Sequence, residues 1–575
     1  MLRLFAATTV ILTATLARAA ELPTITVTAD DTVITTSARI VIPPGTVITD
    51  AAGDGVLKIE ASDIIIEFAP GSVLRGAAPG ADPDTYEGCG IRIINQSGVT
   101  IRGARLSGFR AGLWATGTPG LVLEDIDASD NRRSRLRSDP YVEAGGDWIR
   151  PHENDNNEWL ARYGSALYVE DARDVTVRRC KVWHSQNALC LDRVDESRIY
   201  DNDFSFNSGW GIAMWRSSRN VITRNAVDFC VRGYSHGFYN RGQDSAGFLV
   251  FEQNNDNVFA ENSATHGGDG FFGFAGLEAR GERPAPSEGF EYLRRGNNNN
   301  LLIANDFSYA PAHGIEMTFS FGNRYIANRL VGNAICGIWA GYSQDTLIAH
   351  NTFTANGDMG YGLERGGVNI DSGRHNRIIH NTFTDNRCGV HLWWRDLDRA
   401  GENPWDRANL TDWEGNLIAA NTFAGDTLAL HFRGAGLVTV GPNRYERVER
   451  ERDVDERTTV TASTADVPAP ERPTYPVFGD TRPVGARPHL AGREQIIMTE
   501  WGPWDHVSPL VRFTRNTGRT LEFDFHTGDR TPEVTLHGAA LALEDVPGAA
   551  PAGATRRRLR VTADAPGFYP FKLAF

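Results

Sequence analysis

At 575 residues and 41% hydrophobic content, the chain has material for a real core in one very large domain or two to three ordinary ones, which excludes a disordered protein. A net charge of -14 excludes the basic face that nucleic acid demands. Anionic sugars stay open as partners, because nearly all of the 58 basic residues are arginines able to grip carboxylates in a bidentate way, and lysine occurs only at Lys58, Lys181 and Lys572.

The first twenty residues, MLRLFAATTVILTATLARAA, combine an early Arg, an apolar run and a small-residue end, the layout of a cleavable secretory signal over 1–20. The run is too short and too interrupted by Thr for a membrane anchor, and no later segment approaches spanning length. The mature chain is therefore expected to be secreted or periplasmic, with no membrane span. Six cysteines in a chain this long do not form a disulfide scaffold, and they are expected to be unpaired.

From about residue 200 the chain repeats itself. A short apolar stretch closes on Asn at positions 202, 225, 262, 305, 328, 351, 381 and 421, at intervals of 23, 37, 43, 23, 23, 30 and 40. The bare unit is 23 residues, and the longer intervals are that unit plus inserts. AHNTFTANG and IHNTFTDNR, thirty residues apart, are two such units; GVTIRGARLSG and DVTVRRCKVW fit the frame earlier, with Ala104 and Cys180 in the Asn position. A unit of three short β stretches cannot bury its own apolar face, so it must stack on copies of itself as a solenoid. Asn at a fixed turn position is expected to adopt the left-handed conformation and to hydrogen-bond from copy to copy as a ladder.

The rhythm Asn-x-Ile-x-x-Asn-x-Phe followed by Gly-Ile-x-Leu resembles the right-handed parallel β-helix of the pectate-lyase-like superfamily, over residues 21–445. The resemblance implies an all-β solenoid and a carbohydrate-active protein. It does not select among the lyases, hydrolases, epimerases and non-catalytic proteins built on the fold.

The strand that ends each unit reads GLWAT, ALYVE, ALCLD, GIAMW, GFLVF, GFFGF, GIEMT, GIWAG, GVNID and GVHLW. Its second letters, from Leu113 to Val390, are apolar and point inward, so the third and fifth point out. These outward columns carry aromatics and carboxylates, among them Trp215, Glu316, Trp339, Asp371, His391 and Trp393. Five inserts, near 130–163, 231–246, 277–297, 357–366 and 395–413, border this one sheet. Loops raised on both edges of a sheet make the walls of a cleft. Leu249, Phe251, Phe272 and Phe274 are expected to pack under the inserts.

Neighbouring rungs lie about 4.8 Å apart, so side chains at one position of adjacent units can touch. Asp269 in HGGDGF and His313 in PAHGIE hold the same position on adjacent rungs, Glu316 projects from the same strand as His313, and the insert GYSHGFYNRGQDSAGF adds His236, Arg241 and Asp244. Asp244, Asp269, Glu316, His236 and His313 are the candidate catalytic groups: one carboxyl as acid, a second to activate water or attack the sugar, and cations to tune both. Arg241, Trp215, Trp339, Arg365, Asp371, His391, Trp393 and Arg395 are the candidate substrate contacts. No His/Cys cluster has ligand spacing, so no metal or cofactor is expected, except that calcium would accompany a lyase.

Comparison with families of this fold is mixed. The chain has GGDG and AHGI but lacks the Arg-Ile-Lys of polygalacturonases; SDPYVEAGG begins like the Asp-Pro-His motif of mannuronan epimerases, but Tyr141 replaces the His. Pectate and alginate lyases commonly use an Arg or Lys base with calcium, and the three lysines lie off the proposed cleft. Residues 446–491, rich in proline, read as a linker or an extended wrap over the solenoid, and 492–575 as a small β-sandwich in which Trp501 and Trp504 pack or bind sugar. The leading expectation is an exported glycoside hydrolase acting on a polysaccharide or oligosaccharide. A lyase or C5-epimerase acting on uronates comes second, and a non-catalytic periplasmic binding or assembly protein, like the copper-accessory β-helix proteins, third.

Overall fold

In the computed structural model the described residues are 22–150, 152–360, 365–394, 403–409, 414–481, 483, 487–526, 533–536, 540–545, 556–562, 565 and 571–574. The expected signal at 1–20 and Arg395 lie outside them.

The short strands are too small to stand alone, and each pairs in parallel with its counterpart one coil later. The result is a 16-stranded sheet, a 15-stranded sheet and, on the later coils, a 5-stranded sheet. In the 15-stranded sheet the register runs Leu113, Leu167, Leu189, Ile212, Phe248, Phe271, Ile315, Ile338, Val368, Val390, one inward residue over the next. All are buried in one continuous core. The repeated NTFT stacks Phe353 on Phe383 at 4.7 Å and Phe383 on Phe423 at 4.8 Å between ring centroids.

The asparagine ladder is present along the whole run. Nδ2 of each Asn donates to Oδ1 of the next at 2.8–3.1 Å, from Asn202 through 225, 262, 305, 328, 351 and 381 to Asn421. Similar ladders join Asn220, Asn257, Asn300 and Asn323, and join Asn333, Asn356 and Asn386 to Asp426. The expectation that these Asn residues are themselves left-handed is corrected. The left-handed residue is the one before each, Asp201, Arg224, Glu261, Ala304, Ala327, His350, His380 and Ala420, with φ between 54° and 59°. A turn that forces even alanine into this region, at about 1–2 kcal/mol, is held by the fully satisfied amide that follows it. Asn328 illustrates the load: it donates to Leu302 O at 2.9 Å and to Asn351 at 3.1 Å and accepts from Asn305. Asn328→Ala is expected to destabilise the chain by at least about 1–3 kcal/mol through unsatisfied buried groups, read as a lower urea midpoint.

The solenoid continues past the expected boundary at 445, since Arg450–Val454 and Thr458–Ala462 add the last strands of the two large sheets. The proline-rich stretch after them is a strap that runs back along the solenoid. His380 Nε2 meets Val467 O at 2.8 Å, Thr223 Oγ1 donates to Phe478 O at 2.9 Å, and Asp201 accepts from the Asp480 and Thr481 amides. Proline, without an N–H, suits a segment whose bonds go sideways to side chains and not into a ladder.

The C-terminal module comprises, among the described residues, a 4-stranded and two 2-stranded antiparallel sheets, with Phe525, Leu559 and Val561 at its core. It sits against the side of the solenoid: Leu490 and Ile496 pack with Phe206, Phe229, Val231 and Tyr234, and Asp505 meets His184 at 2.9 Å. Trp504 is buried and its indole donates to Ser508 O, a packing role. All six cysteines are buried, and no helix among the described residues is long and apolar enough to cross a membrane.

Candidate active site

The inserts roof much of the outward face and create a second core outside the solenoid. The helix Glu158–Tyr163 lays Trp159 against Trp210 at 5.0 Å and Trp215 at 5.4 Å between rings, and Leu249, Phe251, Phe272 and Phe274 are buried beside them. The expected substrate contact at Trp215 is therefore corrected: its ring has 0% exposure and no face left for a sugar. The cover thins near the strand His313–Thr318, where His313, Glu316 and Trp339 stay half-buried, and the outward Asp371 and His391 of later rungs are buried again.

At that strand Asp269 and His313 meet. His313 Nδ1 lies 3.1 Å from Asp269 Oδ1 and 3.2 Å from Glu316 Oε2, and the His313 amide donates to the same Asp269 oxygen at 2.8 Å. One ligand atom from each of these three side chains lies within 4.8 Å of the others, close enough for a divalent ion to be shared. Spacing along the chain did not show this, because the members come from two coils. Trp339, on the next rung, sets its ring 5.8 Å from the His313 imidazole, and Trp393 stands 6.4 Å from Trp339; both tryptophans are half-buried.

Asp244 reaches the cluster on a strained turn. Gly242, Gln243 and Asp244 have φ of 67°, 53° and 57°, three left-handed residues in succession. Such strain persists only where neighbours over-determine it. Here the Trp210 indole donates to Asp244 O at 2.9 Å, the Ile149 amide to Gln243 O at 3.2 Å, and the Gln243 amide group to Ser138 Oγ at 3.1 Å. A Cβ on Gly242 would fall on the Gly268 backbone, so the turn touches the segment that carries Asp269. Gly242→Ala is expected to cost about 1–3 kcal/mol by overpacking and to lower kcat with it, measured by urea midpoint and rate on the same preparation.

The electrostatics separate the groups. Burial, followed by the charges of Glu316 and Asp269, pushes the Asp244 carboxyl up to about 7, with Arg241 and Arg150 partly opposing. Burial also raises Glu316, against the pull of His313. Burial works against charge on His313, but the hydrogen bonds to Asp269 and Glu316 outweigh it and lift the imidazole to about 10. The cluster thus holds a cationic histidine between two carboxyl groups and, beside them, a carboxyl that keeps its proton near neutral pH.

The other expected site residues are distributed differently. Arg241 is exposed, and its charge acts on both Asp244 and Glu316. Arg365 is half-buried with its stem against Gly360. Asp371 and His391, expected as substrate contacts, are corrected: at 1% and 0% exposure they hold neighbours, Asp371 accepting from Ser372 Oγ and His391 stacking on His431 at 4.3 Å. The catalytic expectation at His236 is also corrected. It is exposed, bonded to the Tyr234 hydroxyl at 2.7 Å, and lines a separate cleft, because the insert turns back before it delivers Asp244. Arg150 was missed by sequence reasoning; it sits in a long insert with no motif, and only the fold sets its charge near Asp244.

Residues 286–397 match the family model of the right-handed beta helix region, and residues 49–309 that of the periplasmic copper-binding protein NosD. No curated protein matches the chain. Among solved structures, the chain is similar to the A-module of mannuronan C-5 epimerase AlgE4 from Azotobacter vinelandii, at 13% identity over 74% of this chain and 91% of that one, with a TM-score of 0.35. It is also similar to DFA-IIIase from Arthrobacter chlorophenolicus A6 without its lid, at 13% identity over 55% and 70% of the two chains and a TM-score of 0.33. A mutant of the periplasmic alginate epimerase AlgG follows at 10% identity over 75% and 78%, with a TM-score of 0.27. With its parallel sheets, its ladders and these family-model matches, the chain is a right-handed parallel β-helix protein carrying a small antiparallel module at its C-terminal end.

Proposed function

We propose that the chain is an exported carbohydrate-active enzyme that hydrolyses glycosidic bonds at the cluster of Asp244, Asp269, His313 and Glu316. The observation that supports this reading is the convergence of Asp269 and Glu316 on one cationic imidazole beside Trp339, with the Asp244 carboxyl near enough to feel the charge of both. Asp244, protonated up to about pH 7, gives its proton to the glycosidic oxygen as the bond to the anomeric carbon breaks. Glu316 serves the other side of the sugar, activating water or attacking the anomeric carbon. Asp269 positions His313, whose charge balances the negative charge left on Asp244 once its proton has gone to the glycosidic oxygen. Trp339 offers a ring face for the apolar side of a pyranose or furanose.

The donor set is one imidazole and two carboxylates with no thiolate or thioether, which does not suit cuprous copper, and a divalent ion would bind there only as His313 gives up its proton. The export half of the proposal draws on the signal-like first twenty residues. Arg241 beside Asp244 and Glu316 favours a second reading, in which a uronate is gripped and cleaved by elimination or epimerised. Incubation with neutral and acidic polysaccharides, recording reducing ends together with the ultraviolet absorbance of unsaturated uronate, separates the two. Reducing ends alone support hydrolysis, and both signals together overturn it in favour of elimination. Neither signal, on a broad panel, also overturns it.

A further inference from the structure

Three aromatic side chains are strongly exposed among the described residues, Tyr141 at 64%, Phe238 at 63% and Phe513 at 45%, and all three line one cleft. The cleft, about 1430 Å³, lies between the inserts near 130–144 and 231–246 on one side and the C-terminal module on the other. Tyr141 and Phe238 meet edge to face at 5.3 Å, and Trp501, half-buried on the module side, carries the Arg135 guanidinium 5.6 Å above its ring.

Both walls are fixed. The inserts are tied together by Tyr239 Oη donating to Asp139 O at 2.7 Å and Ser235 Oγ donating to Pro140 O. The module is tied to the solenoid side by the Leu136 amide donating to Glu500 O at 2.8 Å and by His184, which bridges Asp130 at 3.2 Å and Asp505 at 2.9 Å. A preformed cleft needs little ordering when a ligand enters.

We infer that this cleft is a second binding site, distinct from the cluster at His313, for an uncharged stretch of glycan chain. Aromatic faces set along a concave surface and separated by polar groups suit sugar rings, which are apolar above and below and hydroxylated at the rim. The lining carries six carboxylates against four arginines, with Asp524 paired to Arg558 at 2.9 Å and Asp505 to His184 at 2.9 Å. They therefore present hydrogen-bonding groups with no net grip on a polyanion. The cleft is also tied to the candidate active site by one insert. The insert that gives it Ser235, His236 and Phe238 goes on to deliver Asp244, and Asn240 between them donates to the carbonyl of Met359, a neighbour of Trp339 in one packed cluster. His236 thereby gains a place at a binding surface. This inference rests on the carbohydrate-active reading, and it adds a region that holds the polymer at a distance from the bond being cut.

The test is electrophoresis of the full mature chain in native gels containing β-glucan, xylan or inulin, with alginate and polygalacturonate as charged comparisons. The wild-type chain is expected to be retarded by at least one neutral polysaccharide. The double variant Tyr141→Ala/Phe238→Ala is expected to lose at least tenfold in apparent affinity, while Leu437→Ala, an exposed apolar residue elsewhere, binds like the wild type. Both aromatics are exposed, so their removal leaves the cores intact, and an unchanged melting temperature confirms it. No retardation by any neutral polysaccharide, retardation by the charged polymers alone, or equal retardation of wild type and double variant each overturns the inference. If the wild type releases reducing ends and the double variant binds as well as it does, the inference falls and the hydrolase reading stands. With aromatic-dependent binding and no reducing ends, the second site stands and the hydrolase reading falls.

Discussion

Asp244→Asn is expected to lower kcat by about 10²- to 10⁴-fold, the range lost with a positioned general acid. The wild-type rate is expected to fall as pH rises through about 7, where Asp244 gives up its proton. Stability supplies an independent readout. The folded carboxyl binds its proton more tightly than the unfolded chain, being raised from 3.8 to about 7, so the folded state loses stability as pH climbs between those values and stays less stable above them. Asn keeps the shape without the charge. Asp244→Asn should therefore be less active and, at pH 8, more stable than the wild type, read as a higher urea midpoint. A loss of activity together with a loss of stability at pH 8 would assign Asp244 to the framework of the strained turn.

His313→Ala carries the second large effect. It leaves Asp269 and Glu316 close together without the cation between them, and removing one partner of a buried ion cluster costs about 3–5 kcal/mol. The pH dependence has the same sign as that of Asp244 and lies at higher pH. The folded imidazole is raised from 6.5 to about 10, so its stabilisation is fully present below 6.5 and is lost as pH rises through about 10. The gap in urea midpoint between wild type and His313→Ala should be wide at pH 6 and nearly closed above pH 10. An equal gap at both values would mean that the imidazole acts by packing alone. His313→Gln, which can still donate to Asp269, should recover part of the stability while leaving the rate low.

The pairing of Asp269 with His313 could be read from the chain because both precede the Gly of the same strand on adjacent coils, and coil spacing does the rest. The burial of Leu249, Phe251, Phe272 and Phe274 was legible for the same reason, since apolar residues in outward columns beside long inserts need a cover. Trp215, Asp371 and His391 were misassigned because an outward-pointing residue is accessible only where nothing lies on it, and His236 because the path of an insert leaves no period in the sequence. Similarly, the cleft lined by Tyr141, Phe238 and Phe513 joins segments hundreds of residues apart.

By itself, then, the sequence determined the solenoid, its register and its ladders. A 23-residue repeat with alternating apolar residues and a recurring Asn has one low-energy arrangement, each copy burying the face of the next and completing its amide bonds. Which residue of the turn takes the left-handed conformation, where the strap runs, how far the roof extends over the outward face and which carboxyls come close enough to shift one another were decided by the tertiary structure alone. Local periodicity sets what repeats, whereas burial and charge at a site depend on the summed contacts of non-repeating inserts, and those contacts exist only after the coils have stacked.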